Sequence, residues 1–117
     1  MANFTDLKVW QAAHRFILAV YQITRKFPID EKYALVQQLR RAAVSVAANI
    51  AEGSKRRSLK DKIHFYNISD TSLEEVKYYL ILSRDLSYYS MSEYETLIKD
   101  AEEVGRMLSG LIGSLRK

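Results

Sequence analysis

Two short runs of positive charge stand out in the sequence, Arg40-Arg41 and Lys55-Arg56-Arg57. Guanidinium groups bind phosphate oxygens in a forked geometry, and lysine ammonium groups act on the same anions as point charges. The second run precedes Ser58, a candidate helix cap, and the free N–H groups of a helix start also attract anions. The alternative is a solvated loop whose cations offset the dipole of the preceding helix. Both interpretations, an anion-binding surface and an ordinary charged loop, stay open.

Arg40 and Arg41 lie in the middle of a predicted helix, with few acidic residues near them in sequence. They could extend a basic surface, or they could pair with carboxylates on neighbouring helices. Pairing is favoured for at least one of them, because a partly buried arginine needs a partner. The candidate partners are Glu74, Glu75, Glu102 and Glu103.

Nothing in the sequence resembles a catalytic or metal site. The chain has no cysteine and only two histidines, His14 and His64, neither of which has other ligands at the usual spacing. A glycine-rich phosphate loop, a nucleophile elbow and the Glu-x-x-His motif of di-iron bundles are all missing. We therefore predict a protein that is not an enzyme and that has neither a metal nor a cofactor.

The apolar pattern predicts the elements that position these charges. The last helix has the clearest signal, because its apolar residues alternate spacings of three and four, as in a bundle seam: Tyr94, Leu97, Ala101, Val104, Leu108, Leu111 and Leu115. Caps and breakers divide the 117 residues into helices over about 7–26, from an Asp30 cap to a Gly53 stop, over about 59–86 after a Ser58 cap, and from a Ser92 cap onwards. This predicts a single all-α domain, residues 1–117, folded as an up-down-up-down antiparallel four-helix bundle.

The predicted topology gathers positive charge at one end of the bundle, which we call the basic pole. It contains the start of the first helix, the loop between the second and third helices, and the C-terminus. Eight basic residues stand there against three acidic ones (Asp6, Glu52 and Asp61): Lys8, Lys55, Arg56, Arg57, Lys60, Lys62, Arg116 and Lys117. The net charge of +4 thus conceals an uneven distribution, which favours an anionic partner at this end.

The first two helices carry more apolar surface than one core-facing stripe requires, which predicts a homo-oligomer. Ser45 and Asn49 lie one turn apart, where they could fix the register of a subunit contact or form a hydrogen bond between helices of one chain. The residues predicted to pack between subunits are Trp10, Val36, Ala43, Ser45, Asn49 and Ile50. The absence of cysteine, of a signal-like N-terminus and of a long apolar run predicts a cytoplasmic protein that does not enter a membrane.

Several motifs resemble one family over nearly the whole chain: Phe4, Asp6-Leu7-Lys8-Val9-Trp10-Gln11-x-Ala13-His14, Gln38-Leu39-Arg40-Arg41-Ala42-Ala43-Val44-Ser45, Asn49-Ile50-Ala51-Glu52-Gly53 and Ser72-Leu73-x-Glu75. The family is that of the bacterial four-helix bundle proteins encoded by intervening sequences in 23S ribosomal RNA genes. Its members are sometimes labelled ribosomal proteins. The chain departs from the family pattern at Ala47, where the pattern has a proline, and at Thr71, where it has a glycine.

The resemblance implies kinship with the accessory variability protein of diversity-generating retroelements. That relative is a pentamer with a basic surface that binds nucleic acid and a reverse transcriptase. We therefore expect a homopentamer that binds RNA or DNA backbones, and the resemblance implies a reverse transcriptase as its candidate protein partner. The expected contact residues are Arg40, Arg41, Lys55, Arg56, Arg57, Lys60 and Lys62. The alternative is an adaptor that docks an acidic or nucleic-acid-bound protein.

Overall fold

A computed structural model describes residues 3–117, which form four α-helices and two single 3-10 turns. The helices are α1 (Lys8–Thr24), α2 (Leu35–Lys55), α3 (Leu59–Asp85) and α4 (Met91–Leu115), and the turns span Phe4–Asp6 and Ile29–Glu31. Helix α1 packs on α2 and α4, and α3 packs on the same two helices. An ion pair between Lys26 and Glu93 joins the end of α1 to the start of α4. The predicted all-α four-helix bundle is confirmed.

The core lies along the axis of the bundle, and every helix contributes to it. The largest side chains with almost no exposed surface are Phe16, Leu39, Ile50, Leu73, Leu80 and Leu108. In α4 the predicted seam holds through Leu108, after which Ile112 is buried and Leu111 is only half-buried. A straight helix of 3.6 residues per turn drifts away from a 3.5-residue repeat, so the buried stripe moves by one position near its end.

Helix caps agree with the sequence in one place and differ in two. The Asp61 backbone N–H donates to Ser58 Oγ (3.1 Å), so the predicted cap of α3 is confirmed. The predicted Ser92 cap of α4 is wrong, because Ser90 and Glu93 exchange the two capping hydrogen bonds two residues earlier. Asp30 lies within the second 3-10 turn rather than capping α2.

Gly53 does not end α2 as predicted, since the helix continues to Lys55 and Gly53 is buried within it. A Cβ atom at this position would lie 2.7 Å from Cε1 of Tyr66 and 3.2 Å from Cβ of Phe65. Real Cβ atoms do not come so close to a ring carbon. The glycine therefore serves the close approach of α2 and α3.

Candidate functional site

The basic pole surrounds a three-residue connection, Arg56 to Ser58, between α2 and α3. The 3-10 turn Phe4–Asp6 packs against α2 at this end. The antiparallel order of the helices brings the C-terminus of α4 to the same end. The structure thus places the loop cations Lys55, Arg56, Arg57 and Lys60 within one short segment.

Lys62 has a structural role at the basic pole. Its Nζ donates to the backbone carbonyls of Ser54 (2.9 Å) and Gly53 (3.4 Å), which lie in the last turn of α2. Carbonyls in a last helical turn lack partners within the helix and carry partial negative charge. Lys62 therefore satisfies the end of α2, and its charge is only partly available to a ligand.

Arg56 is held in place by two neighbours. Its Nη2 lies 3.2 Å from Oε1 of Glu52, one turn earlier in α2. Its guanidinium also lies over the ring of Phe65, 4.5 Å from the ring centroid. These contacts fix the orientation of Arg56 and neutralise much of the charge of Glu52.

Lys55, Arg57 and Lys60 are exposed, and within residues 3–117 none of the three forms a salt bridge. Of the three acidic residues of the basic pole, Glu52 pairs with Arg56, Asp6 accepts a hydrogen bond from the Asn3 backbone N–H, and Asp61 forms no salt bridge within the described residues. The pole therefore offers three unpaired cations on one short stretch of chain.

A groove of about 920 Å³ opens beside these cations, between the N-terminal turn, α2 and α3. The side chains of Phe4 and Phe65 line it, together with the alanines of α2 and a few polar residues. The full lining is Asn3, Phe4, Ala48, Asn49, Ala51, Glu52, Ser54, Lys55 and Phe65. Sequence reasoning missed this groove, because the apolar pattern of α3 predicts a core position for Phe65 and the structure leaves it half-buried.

Within residues 3–117, Arg40 does not pair with a carboxylate. Its Nε donates to Thr24 Oγ1 (2.9 Å), and its Nη2 donates to the carbonyl of Tyr21 (3.3 Å). The guanidinium also lies 4.5 Å from the centroid of the Tyr21 ring. The last turn of α1 thus supplies the partner, and Arg40 ties α1 to α2.

Arg41 is exposed and, within the described chain, forms no salt bridge either, so the prediction that at least one of the two arginines pairs with a carboxylate is wrong. It lies fourteen residues before Lys55 in the same helix, which corresponds to about 21 Å along the axis. The structure therefore separates the Arg40-Arg41 pair from the basic pole, and the predicted contact residues do not form one continuous site.

The residues predicted to pack between subunits divide into two groups. Val36, Ala43 and Ile50 are buried in the core of the chain itself, where they leave almost no surface for a second copy. Ser45 and Asn49 belong to a network within one chain: the hydroxyls of Ser45 and Ser72 lie 2.8 Å apart, and Asn49 Nδ2 donates to the Ser45 carbonyl (2.9 Å). For Ser45 the structure contains the hydrogen bond between helices that was the alternative, whereas Asn49 bonds to Ser45 within α2.

Trp10 is half-buried within an aromatic cluster on α1. The Phe4 ring packs edge-on against it at 5.1 Å, and the His14 ring stacks on it at 5.0 Å. Other large apolar side chains are more exposed on α1 and α2, namely Leu18 (57 %), Val44 (42 %) and Tyr33, which precedes α2 (80 %). Sequence reasoning detected the apolar excess of these helices but did not single out these three residues.

None of the helices formed by residues 3–117 combines the length and the apolar character that crossing a membrane requires. In the same part of the chain, no three His, Asp or Glu side chains gather as the ligands of a metal ion would.

Comparisons with known proteins agree with this fold. Residues 5–110 match the family model of the 23S rRNA-intervening sequence protein. A solved structure of a protein of unknown function from the S23 ribosomal protein family of Bacteroides thetaiotaomicron superposes with a TM-score of 0.83. The two sequences are 24 % identical, and the match covers 90 % of this chain and 95 % of the other. A search of curated proteins finds no match. Because the family model spans most of the sequence, the chain belongs to the 23S rRNA-intervening sequence protein family.

Proposed function

We propose that this protein is a non-enzymatic homo-oligomer that binds RNA or DNA backbones through its basic pole. The observation that carries the proposal is the set of three exposed cations, Lys55, Arg57 and Lys60, that lack acidic partners within the described chain. Flexible, solvated cations suit phosphates, which repeat along a strand and carry no sequence information. Arg56 lies beside them, but Glu52 offsets its charge, so Arg56 is not one of the free cations.

Oligomerisation gives this small site enough contacts to bind. Each phosphate that is neutralised contributes about −0.9 to the slope of log K against log salt, so three cations give one subunit only a weak, salt-sensitive interaction. A pentamer would repeat the basic pole five times, and linked sites raise the overall affinity without new contacts. The exposed Leu18, Val44 and Tyr33 support a contact between copies. Light scattering tests this part, and a monomer would contradict it.

Fluorescence polarisation with a labelled oligonucleotide across a salt series tests the binding itself. We expect tight binding at low salt and a steep loss as salt rises. In K55A/R57A/K60A the slope should fall in magnitude by about 3 for each subunit that contacts the ligand. The matched control is R15A/R25A/K99A, which removes the same charge from exposed positions away from the pole. No binding at low salt, or equal effects of both triple variants, would refute the proposal.

A second candidate function, an adaptor for an acidic protein, is favoured by a separate groove on α2. This groove of about 600 Å³ is lined by Tyr21, Lys32, Tyr33, Val36, Gln37, Arg40, Arg41, Val44 and Ser45. Three cations and several apolar side chains line it, without an acidic residue. A partner captured from the native host by the wild type and lost by K32E/R41E, while oligonucleotide binding persists, would support the adaptor.

A further inference from the structure

We infer that the groove between Phe4 and Phe65 receives an unpaired base, so that the protein prefers single strands to duplexes. This inference rests on the proposed function, because it names the class of nucleic acid that the basic pole binds. In this inference the protein contacts both the phosphates and a base, whereas the proposed function requires contacts with phosphates alone.

The walls and floor of the groove suit a flat aromatic ligand. Phe4 and Phe65 bring two aromatic side chains into it, and Ala48 and Ala51, one turn apart on α2, leave the floor low. A volume of about 920 Å³ reaches the upper part of the range of small-molecule pockets, about 300–1,000 Å³. Aromatic side chains stack on every base, because each base has a π-face.

Contacts within the protein hold Phe65 and Phe4 in position. Gly53 lets α3 approach α2 closely at Phe65, and Arg56 lies 4.5 Å from the centroid of the Phe65 ring. Phe4 packs edge-on against Trp10 at a centroid distance of 5.1 Å. Both rings are half-buried and so are supported from behind while they line the groove.

The polar lining matches the edges of a base and its phosphate. The Asn49 amide nitrogen donates to Ser45, so the amide oxygen is the group that Asn49 can offer to an N–H group on the edge of a base, such as N3–H of thymine. Glu52 is an acceptor of the same kind, and Arg56 balances its charge. Lys55 lines the same groove, and Arg57 and Lys60 follow it in the chain, where they can meet the adjoining phosphates.

The groove distinguishes single strands from duplexes, because the bases of a duplex are not accessible to it. In a double helix the bases are stacked and paired, and bringing one into a protein groove costs unstacking energy. A single strand offers its bases freely, although its charge density is lower. A contact with phosphates alone favours the duplex, whereas a contact that includes the groove favours the single strand.

The test compares three labelled ligands of equal length by fluorescence polarisation at one salt concentration: a single strand of oligothymidylate, the same strand made abasic at every position, and a duplex. We expect the intact strand to bind about 10-fold more tightly than the abasic strand, in line with the effect of stacking one base. F65L should remove this difference, and F65Y should keep it. Y78L is the matched control, because Tyr78 is an exposed aromatic residue elsewhere on α3.

Equal affinities for the intact and abasic strands would overturn the inference while leaving the proposed function intact. Failure of all three ligands to bind at low salt would refute the proposed function, and the inference with it. The comparison of ligands needs only the wild-type protein, so a folding defect in F65L cannot hide the answer. F4L, which alters the turn outside the four helices, provides a second variant.

Discussion

The close contact of α2 and α3 at Gly53 predicts that Gly53→Ala destabilises the protein. The added Cβ would lie 2.7 Å and 2.9 Å from two ring carbons of Tyr66. The Tyr66 side chain is almost fully buried, with 3 % of its surface exposed, so its ring cannot swing into solvent. The two helices must separate, or the ring must leave its preferred rotamer.

The expected magnitude is the balance of two terms. Overpacking a close contact costs about 1–3 kcal/mol, and replacing glycine by alanine within a helix returns about 1 kcal/mol of helix propensity. Because Tyr66 has little room, we expect the free energy of unfolding to fall by about 1–2 kcal/mol, which lowers Tm by about 4–8 °C. Gly110→Ala is the matched control. A Cβ atom at Gly110 meets nothing within 4 Å, so this variant should gain up to about 1 kcal/mol in the free energy of unfolding.

Thermal and urea unfolding followed by circular dichroism measure both variants. A double-mutant cycle with Tyr66→Leu then identifies the cause, because residues in contact couple by about 0.5–3 kcal/mol. Once the ring is gone, Gly53→Ala should cost much less, because only the 3.2 Å approach to Cβ of Phe65 remains. If Gly53→Ala is as stable as the wild type, or if its full cost persists beside Leu at position 66, the explanation by close approach is refuted.

Three further predictions concern charged groups. Arg40→Ala should lower the free energy of unfolding by about 1.5–3 kcal/mol, because it removes charged hydrogen bonds to α1. Arg41→Ala should change the free energy of unfolding by less than about 0.5 kcal/mol. Urea unfolding of the two variants measures this difference. Lys62→Ala should lower the free energy of unfolding by about 1 kcal/mol, because the carbonyls at the end of α2 lose a hydrogen-bond donor. Lys60→Ala should leave the free energy of unfolding almost unchanged in the same assay. The hydrogen bonds from Lys26 and from the Ser90 backbone lower the pKa of Glu93 to about 2, from 4.5. A lowered pKa gives stability above pH 4.5 that is lost as the pH falls towards 2, so Glu93→Gln should flatten the acid side of the Tm–pH curve, and an unchanged curve would contradict this.

The parts of the fold that could be predicted depend on local patterns. The α4 seam is set by residues three and four apart, and the Ser58 cap depends on the chain within one turn. The start of α4 was misplaced because Ser90 and Ser92 both stand three residues before a glutamate. Glu93 also pairs with Lys26, which lies just after α1 and cannot be read from the local pattern.

The candidate site was less predictable, because its geometry depends on which helix faces which. The basic loop residues follow from composition and topology. The partners of Lys62 are backbone carbonyls, and Arg40 bonds to a threonine hydroxyl and a backbone carbonyl; neither set of partners leaves a charge pattern in the sequence. The same holds for Gly53, whose role is set by Tyr66 thirteen positions later on the next helix. The groove requires Phe4 and Phe65, which only the packing of the N-terminal turn brings together.

The segment from Arg40 to Arg57 therefore combines packing and recognition in a definite order along α2. Arg40 anchors the helix to α1, most of the residues from Ala42 to Ile50 fill the core or contact α3, and the exposed cations of the basic pole begin at Lys55. Gly53 lies where the two roles meet, since the close approach that it allows fixes the backbone of α3 at Phe65, which lines the groove beside those cations. A change at Gly53 should thus disturb the groove even where the charges are untouched. The packing of α2 on α3 and the shape of the candidate site are consequences of the same contact.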